Sequence, residues 1–307
     1  MKVRLGINTC FAVKRWPRPA DWAPIVADRL GLSLVQHSLD LVDLTGGDTS
    51  IERQAAALSA AASAQGLAVT STFTGLAAYS SNLLLGPDPV VRAVAMAWYA
   101  SAIGFSSRLG ASATGGHVGA LSVPDAADPG RRAERWRDLE AALETLAGQA
   151  RAAGLAAIVV ENLASAREPS SIAQIESLLR PATADRAAIG LCLDVGHMCV
   201  PGTTGDDRDP YAWLRRLGSR APMIQLQQSD AEGDHHWPFT PARNREGRIE
   251  AERVIDALEE AGVEQTELLL EVIPPFEQED ATVLDDLAAS VDYWREALLR
   301  RGVLADP

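Results

Sequence analysis

Ala157-Ile158-Val159-Val160-Glu161, then residues 171–180, then Ile189-Gly190-Leu191-Cys192-Leu193-Asp194 is the stretch that decides the fold. Two short apolar runs flank a segment of helical length, in which Ser171 and Gln174 stand in capping-box spacing. Each run stays apolar up to its last residue, which is a carboxylate. Strands of that kind are covered on both faces, as in a parallel sheet whose connections are helices.

The same unit recurs on either side. Upstream, apolar runs at 3–8, 34–38, 68–72 and 113–118 are followed by helical stretches at 19–30, 51–65, 89–109 and 131–153. Downstream, runs at 223–227 and 268–273 alternate with helical stretches at 210–217, 250–261 and 282–300. Gly31 and Gly66 directly follow two of the helices, where a left-handed residue closes the last turn. Eight strand–helix units predict an α/β fold of the (β/α)8 TIM-barrel class, as one domain over 1–307. A doubly wound open sheet is the rival. The first run passes into Gly6-Ile7-Asn8-Thr9-Cys10-Phe11, which lacks the glycine-rich fingerprint of a dinucleotide site. The longest irregular stretches are 201–209 and 229–247, and long loops in a compact barrel are usually functional.

Charge narrows the partners. The 307 residues include 41 acidic and 28 basic side chains, a net charge of -13. Such a surface repels phosphate backbones, so nucleic acid is not an expected partner. No apolar run is long and unbroken enough to span a bilayer. Cys10, Cys192 and Cys199 have no zinc-type spacing. Their odd number and the absence of a signal-peptide pattern predict a reducing, cytoplasmic setting. A small molecule is the expected partner, and a homodimer is left open.

In an α/β barrel the carboxyl ends of the strands carry the chemistry. Those ends read Glu161-Asn162, Asp194-Val195-Gly196-His197, Gln227-Gln228-Ser229-Asp230 and Glu271-Val272. Buried carboxylates are costly unless paired, protonated or bound to a cation. Glu161, Asp194 and Glu271 on one rim therefore point to a divalent-metal site with oxygen ligands. His117 ends the fourth run, and His235 and His236 lie in the 229–247 loop. Lys14 and Arg15 follow the first run and Arg167 the fifth, where a cation suits a phosphate. Each has a plain alternative: a capping carboxylate, a hydrogen-bonded structural histidine or a solvated surface charge.

With these residues in view, the chain resembles the xylose-isomerase-like barrels, the sugar phosphate isomerase/epimerase group that includes the ketose 3-epimerases. The resemblance runs the length of the chain and is most specific at Glu161-Asn162, Asp194-Val195-Gly196-His197 and Glu271. It implies one divalent metal, usually manganese, cobalt or magnesium with zinc as a further option, held by four ligands. Glu161, Asp194 and Glu271 match three of them. The fourth is typically a histidine on the seventh strand; Gln227 stands there, so His235 or His236 becomes an alternative ligand. Asn8 to Trp16 and Asp234-His235-His236-Trp237-Pro238-Phe239 also look like a subgroup resembling tetrulose-phosphate 3-epimerases of the erythrulose 1-phosphate type.

The resemblance implies proton removal beside a ketone, with Glu161 and Glu271 as the acid/base pair on opposite faces of the substrate. Asp194 would serve as ligand only, and His197 would place a substrate oxygen. Lys14, Arg15, Arg167, His235 and His236 are candidates for a substrate phosphate, His117 for a substrate contact, and Phe11, Phe73 and Trp237 for the walls. A free-ketose 3-epimerase, an inosose-type dehydratase and a sugar-binding barrel without catalysis are the competing readings. A nuclease of the endonuclease IV kind is disfavoured by five histidines and the negative charge.

Overall fold

The computed structural model describes residues 1–305. Its strands are Lys2–Asn8 (β1), Leu34–Ser38 (β2), Ala68–Phe73 (β3), Ala113–Gly116 (β4), Ala157–Glu161 (β5), Ala188–Asp194 (β6), Met223–Leu226 (β7) and Gln265–Leu270 (β8). They are hydrogen-bonded in chain order and β8 returns in parallel to β1, closing a (β/α)8 barrel as expected.

The helices are Pro19–Pro24 (α1), Asp48–Ala64 (α2), Pro89–Leu109 (α3), Val123–Ala127 (α4), Pro129–Ala152 (α5), Ile172–Leu178 (α6), Pro210–Leu217 (α7), Pro241–Glu246 (α8), Ala251–Glu260 (α9) and Asp280–Arg301 (α10). Their starts follow local chemistry. Asp88, Asp128 and Asp209 each cap the next helix by accepting backbone N–H bonds, with proline at the first helical position, where no N–H is needed. Ser171 and Gln174 form the expected capping box.

Three boundaries differ from the sequence reading in instructive ways. The stretch 19–30 is not one α-helix: past Pro24 the chain widens into a π turn at Ile25–Arg29. Proline removes a rung of the helical ladder and crowds the preceding turn. β8 begins at Gln265, three residues before the apolar run. Gln265, Thr266 and Glu267 pair with Lys2, Val3 and Arg4, and an Arg4–Glu267 ion pair bridges the two strands. β4, β7 and β8 stop at Gly116, Leu226 and Leu270, so His117, Gln227 and Glu271 each occupy the first position beyond a strand.

The chain divides into two compact units, residues 1–36, 60–68 and 192 onward in one, 37–59 and 69–191 in the other. The first buries Trp22, Trp213 and Trp294, with the Trp294 ring edge-on to Phe239 at 5.2 Å. The second buries Phe73, Tyr99 and Phe105. His37 belongs to that second core: burial pushes its imidazole down to about 3, so it stays neutral. No helix among the described residues is long and apolar enough to cross a membrane. The three cysteines are buried and unbridged.

Two glycines set the end of β4. Gly115 and Gly116 have φ of 147° and 124°, and a Cβ on Gly115 would collide with the backbone of Val159 on β5. Gly115→Ala is expected to lower unfolding free energy by about 2–4 kcal/mol, from strain plus displacement of β5. Urea denaturation of the two proteins measures it, and an unchanged midpoint would refute the close approach.

Candidate active site

Asp194, the last residue of β6, is fully buried. Its Oδ1 accepts the Gly196 N–H at 2.6 Å and the Gln227 side-chain N–H at 3.1 Å. Glu271 lies just past β8 and is 6% exposed. Its Oε1 accepts N–H bonds from Gln225 at 2.7 Å and Asn8 at 3.1 Å. Both carboxamides also donate to Gln36 Oε1, at 2.9 and 2.7 Å. Asn8, Gln36 and Gln225 thus form one buried network, in which the N–H groups of Asn8 and Gln225 fasten Oε1 of Glu271 and Gln36 holds those two carboxamides. Charge-assisted bonds of this type are short and directional, and they turn the other oxygen, Oε2, to a defined position.

The loop after β7 completes the cluster. Gln228 and Trp237 exchange backbone hydrogen bonds of 2.9 and 3.2 Å, which folds the intervening residues into a hairpin-like return. The Gln228 side chain pins the far end of the loop, donating to Asn244 Oδ1 and the Ile249 carbonyl and accepting from Ile249 N–H. His236 sits on this return with φ of 47°, a left-handed conformation that costs a non-glycine residue energy. Its backbone N–H donates to Gln227 Oε1 at 2.6 Å, which offsets the strain.

The His236 ring faces polar atoms on both edges. Nδ1 lies 3.2 Å from the Glu271 carbonyl and 3.7 Å from Glu271 Oε2, and Nε2 lies 3.1 Å from Asp234 Oδ1. His197 Nε2 lies 3.3 Å from the same Asp234 oxygen and 4.0 Å from Asp194 Oδ1. The two imidazoles stand nearly perpendicular, centroids 5.5 Å apart. Burial pushes the Asp234 carboxyl up, but the positive charge of and hydrogen bonds from His197 and His236 outweigh it, leaving it well below the usual carboxylate range. One ligand atom each from Asp194, His236 and Glu271 lies within 4.8 Å of the others, and the same holds for His197, Asp234 and His236.

Glu161 ends β5 in the other unit, 1% exposed, with the Tyr79 hydroxyl 3.4 Å from both of its oxygens. His117 is fully buried there; its Nε2 lies 3.1 Å from Glu168 Oε1, and the Tyr79 ring lies 4.5 Å from the imidazole. His117 Nδ1 has no hydrogen-bond partner among the described residues. The Tyr99 hydroxyl donates to the His117 carbonyl, and burial together with the charge of Glu161 pushes its ionisation up.

The remaining expected residues are dispersed. Arg15 is committed to Asp280 and to the carbonyls of Pro275 and Phe276. Arg167 is exposed and donates to the Leu121 carbonyl. Lys14 is exposed, with Nζ 4.0 Å above the Phe276 ring. His235 points away from His236: it pairs with Asp230 at 2.9 Å and stacks on Trp237 at 3.9 Å, and Arg243 covers the Trp237 ring at 4.2 Å. Gln227 turns its nitrogen, not its oxygen, to the acidic groups, because the oxygen holds His236 N–H. Reversing the carboxamide would break that bond and set two oxygens against each other at Asp194.

Sequence reasoning missed Asp234, Asn8, Gln36, Gln225, Tyr79 and Glu168. Two signals were available. Gln225 and Gln227 have the two-residue spacing that puts both on one face of a strand, and Asp234 shares its short loop with two histidines.

The model of the xylose isomerase-like TIM barrels matches residues 26–296. The chain belongs to that family. Among relatives of this xylose isomerase-like barrel, the D-erythrulose 1-phosphate 3-epimerase of Brucella abortus (strain 2308) is 30% identical over 299 residues, 96% of each chain. A Rhodospirillum rubrum ATCC 11170 structure provisionally assigned as a xylose isomerase is 32% identical with a TM-score of 0.87, covering 96% of this chain and 99% of that one. D-psicose 3-epimerase of Clostridium cellulolyticum H10, solved with D-tagatose, shares the fold at 17% identity and a TM-score of 0.68, covering 96% and 99%.

Gln227→Ala should leave the buried His236 N–H without its acceptor and is expected to cost about 1–3 kcal/mol. Urea unfolding of chelator-treated protein isolates this from any metal effect. Equal stability of the variant would show that Gln227 does not hold the loop.

Proposed function

We propose that this chain is a divalent-metal-dependent 3-epimerase of a small ketose phosphate, of the tetrulose phosphate type. The observation that carries the reading is the convergence of two buried carboxylates from separate strand ends, Asp194 and Glu271, with an imidazole beside them. The likeness to an erythrulose 1-phosphate 3-epimerase over nearly the whole chain supports the substrate class.

The donor set fits a cation. Buried carboxylate oxygens suit magnesium, manganese or cobalt, and the neighbouring imidazole keeps zinc acceptable. Asp194, Glu271 and Glu161, the carboxylate that ends β5, would hold it. Gln227 is left out of the ligand set because its oxygen is committed to His236 N–H. A divalent cation bound there supplies Lewis acidity, stabilising negative charge as it develops on the ketone oxygen.

The chain's own groups move the protons. Glu271 presents Oε2, since Oε1 is fastened by Asn8 and Gln225. It takes the proton from the carbon beside the ketone; the C–H pair passes into the adjacent C–C bond and the carbonyl pair onto oxygen, giving an enediolate. Glu161 returns a proton to the opposite face, inverting that carbon with no net change in composition. For the phosphate, Lys14 is the best of the basic residues just beyond β1, because Arg15 is already spent on Asp280 and two carbonyls.

Chelation should abolish activity, and manganese, cobalt or magnesium should restore it. Full turnover by protein shown to be metal-free by elemental analysis would end the metal reading. Glu161→Gln and Glu271→Gln should each lower kcat by about two to four orders of magnitude. Proton exchange from deuterated water into substrate tests this directly, and near-normal exchange in either variant removes that residue from the acid/base pair. Lys14→Ala should lose about ten- to a hundredfold in kcat/KM on a ketose phosphate and little on the free ketose. Equal loss on both would rule Lys14 out as the phosphate handle.

A further inference from the structure

Helix α3 is apolar on its outer side as well as its inner one. Ala95, Tyr99 and Ile103 are buried along one side, yet Val90 and Val94 on the other are 69% and 66% exposed. A helix that is apolar all round belongs in an interior. Its 21 residues also include no acidic side chain, whereas α2, α5, α9 and α10 all carry acids on a chain of net charge -13. Arg92 adds little charge to the outer face, because it turns back to the carbonyls of Gly86 and Pro87 and to Asp138.

The outer stripe runs Val90, Val94, Ala97, Ser101, Gly104, Arg108, in alternating steps of four and three residues, and none of the six is buried. That is the spacing with which two helices lie along each other. Two properties change along it. Side-chain size falls from valine through alanine and serine to glycine. Charge also differs between the ends. Asp88, the N-cap residue, accepts the Val90 N–H and forms no ion pair among the described residues. At the far end, Arg108 donates to the Gly104 carbonyl and reaches Glu52 at 3.6 Å. At a rise of about 1.5 Å per residue, Asp88 and Arg108 stand about 14 and 16 Å to either side of Ala97.

Both gradients have the same complement, which is α3 itself run in the opposite direction. With a two-fold axis at Ala97, Val90 faces Gly104 of the second copy and Val94 faces Ser101. Ala97 faces Ala97, and Asp88 meets Arg108 at both ends. A parallel copy would instead set valine on valine and Arg108 beside Arg108.

We propose that α3 is the interface between two copies of this chain, packed antiparallel about a two-fold axis at Ala97. Copies of net charge -13 repel over most of their surfaces, so an acid-free face is where they can approach. The contact uses the same surface on both copies and therefore closes at a dimer. No residue of the stripe belongs to the proposed acid/base or cation site, so the dimer and the reaction stand or fall separately.

Light scattering of the full chain at micromolar concentration reads the mass directly, and the wild type should show twice the mass of one chain. Ala97→Glu sets two like charges against each other at the axis and should give single chains. Its circular dichroism should be unchanged, since the position is exposed and glutamate suits a helix. Arg108→Glu turns both end pairs into repulsions and should raise the dissociation constant about tenfold. Ala97→Cys should form a disulfide between copies on mild oxidation, and Ala57→Cys on the exposed side of α2 should not. The native cysteines are buried. A monomeric wild type overturns the proposal, whether or not some other protein covers the face. A dimer that survives Ala97→Glu overturns it by placing the contact elsewhere. If Ala97→Glu does not fold, a dimeric Ala97→Cys that fails to crosslink overturns it. An unchanged dissociation constant in Arg108→Glu refutes the antiparallel order.

Discussion

One hydrogen bond organises the cluster on the β6, β7 and β8 side: the 2.6 Å contact from His236 N–H to the Gln227 carboxamide oxygen. It holds a histidine in a left-handed conformation that its own backbone disfavours. It also decides which way the carboxamide points. With the oxygen occupied, both N–H groups must face Asp194, Asp234 and the His236 ring. Three polar groups from a strand end and a loop are thereby oriented by one side chain.

The carboxylates depend on a similar economy of amides. Glu271 and Asp194 lie where water scarcely reaches, and an isolated charge there is expensive. Asn8 and Gln225 meet part of that cost for Glu271 with neutral donors, and Gln36 holds both of them by accepting a bond from each. Neutral donors stabilise the ionised form without filling the place where a cation or substrate would bind. An arginine in their place would pair with the carboxylate fully and leave it inert. The abundance of carboxamides around these acids is therefore consistent with charges kept available for a ligand.

The basic residues show the opposite pattern. Arg15 is consumed by the loop before α10, and Lys14 lies over an aromatic face close by. A chain of net charge -13 offers little long-range attraction to an anionic substrate. Recognition of a phosphate by such a protein rests on local contacts, which is the sense in which Lys14 enters the proposed function.

The barrel was legible because its evidence is local and repeated. Continuous apolar runs, aspartate and serine caps, and glycine stops follow from side-chain chemistry within a few residues, and α3, α7, β2 and β5 fall where that chemistry places them. The carboxylates at 161, 194 and 271 were legible for the same reason, each ending an apolar run. The partners of those acids were not. Asn8 and Glu271 are joined across almost the whole chain, and nothing near either residue announces the other. His235 and His236 are neighbours in a polar loop, equal by sequence, yet the backbone turn at φ of 47° sends one ring to Glu271 and the other to Asp230 and Trp237. Sequence determined which residues end the strands, because hydrophobic periodicity is a property of neighbours. Tertiary structure decided which amide holds which acid and which histidine joins them, because hydrogen bonds between distant segments depend on where the closed barrel and its loops bring them.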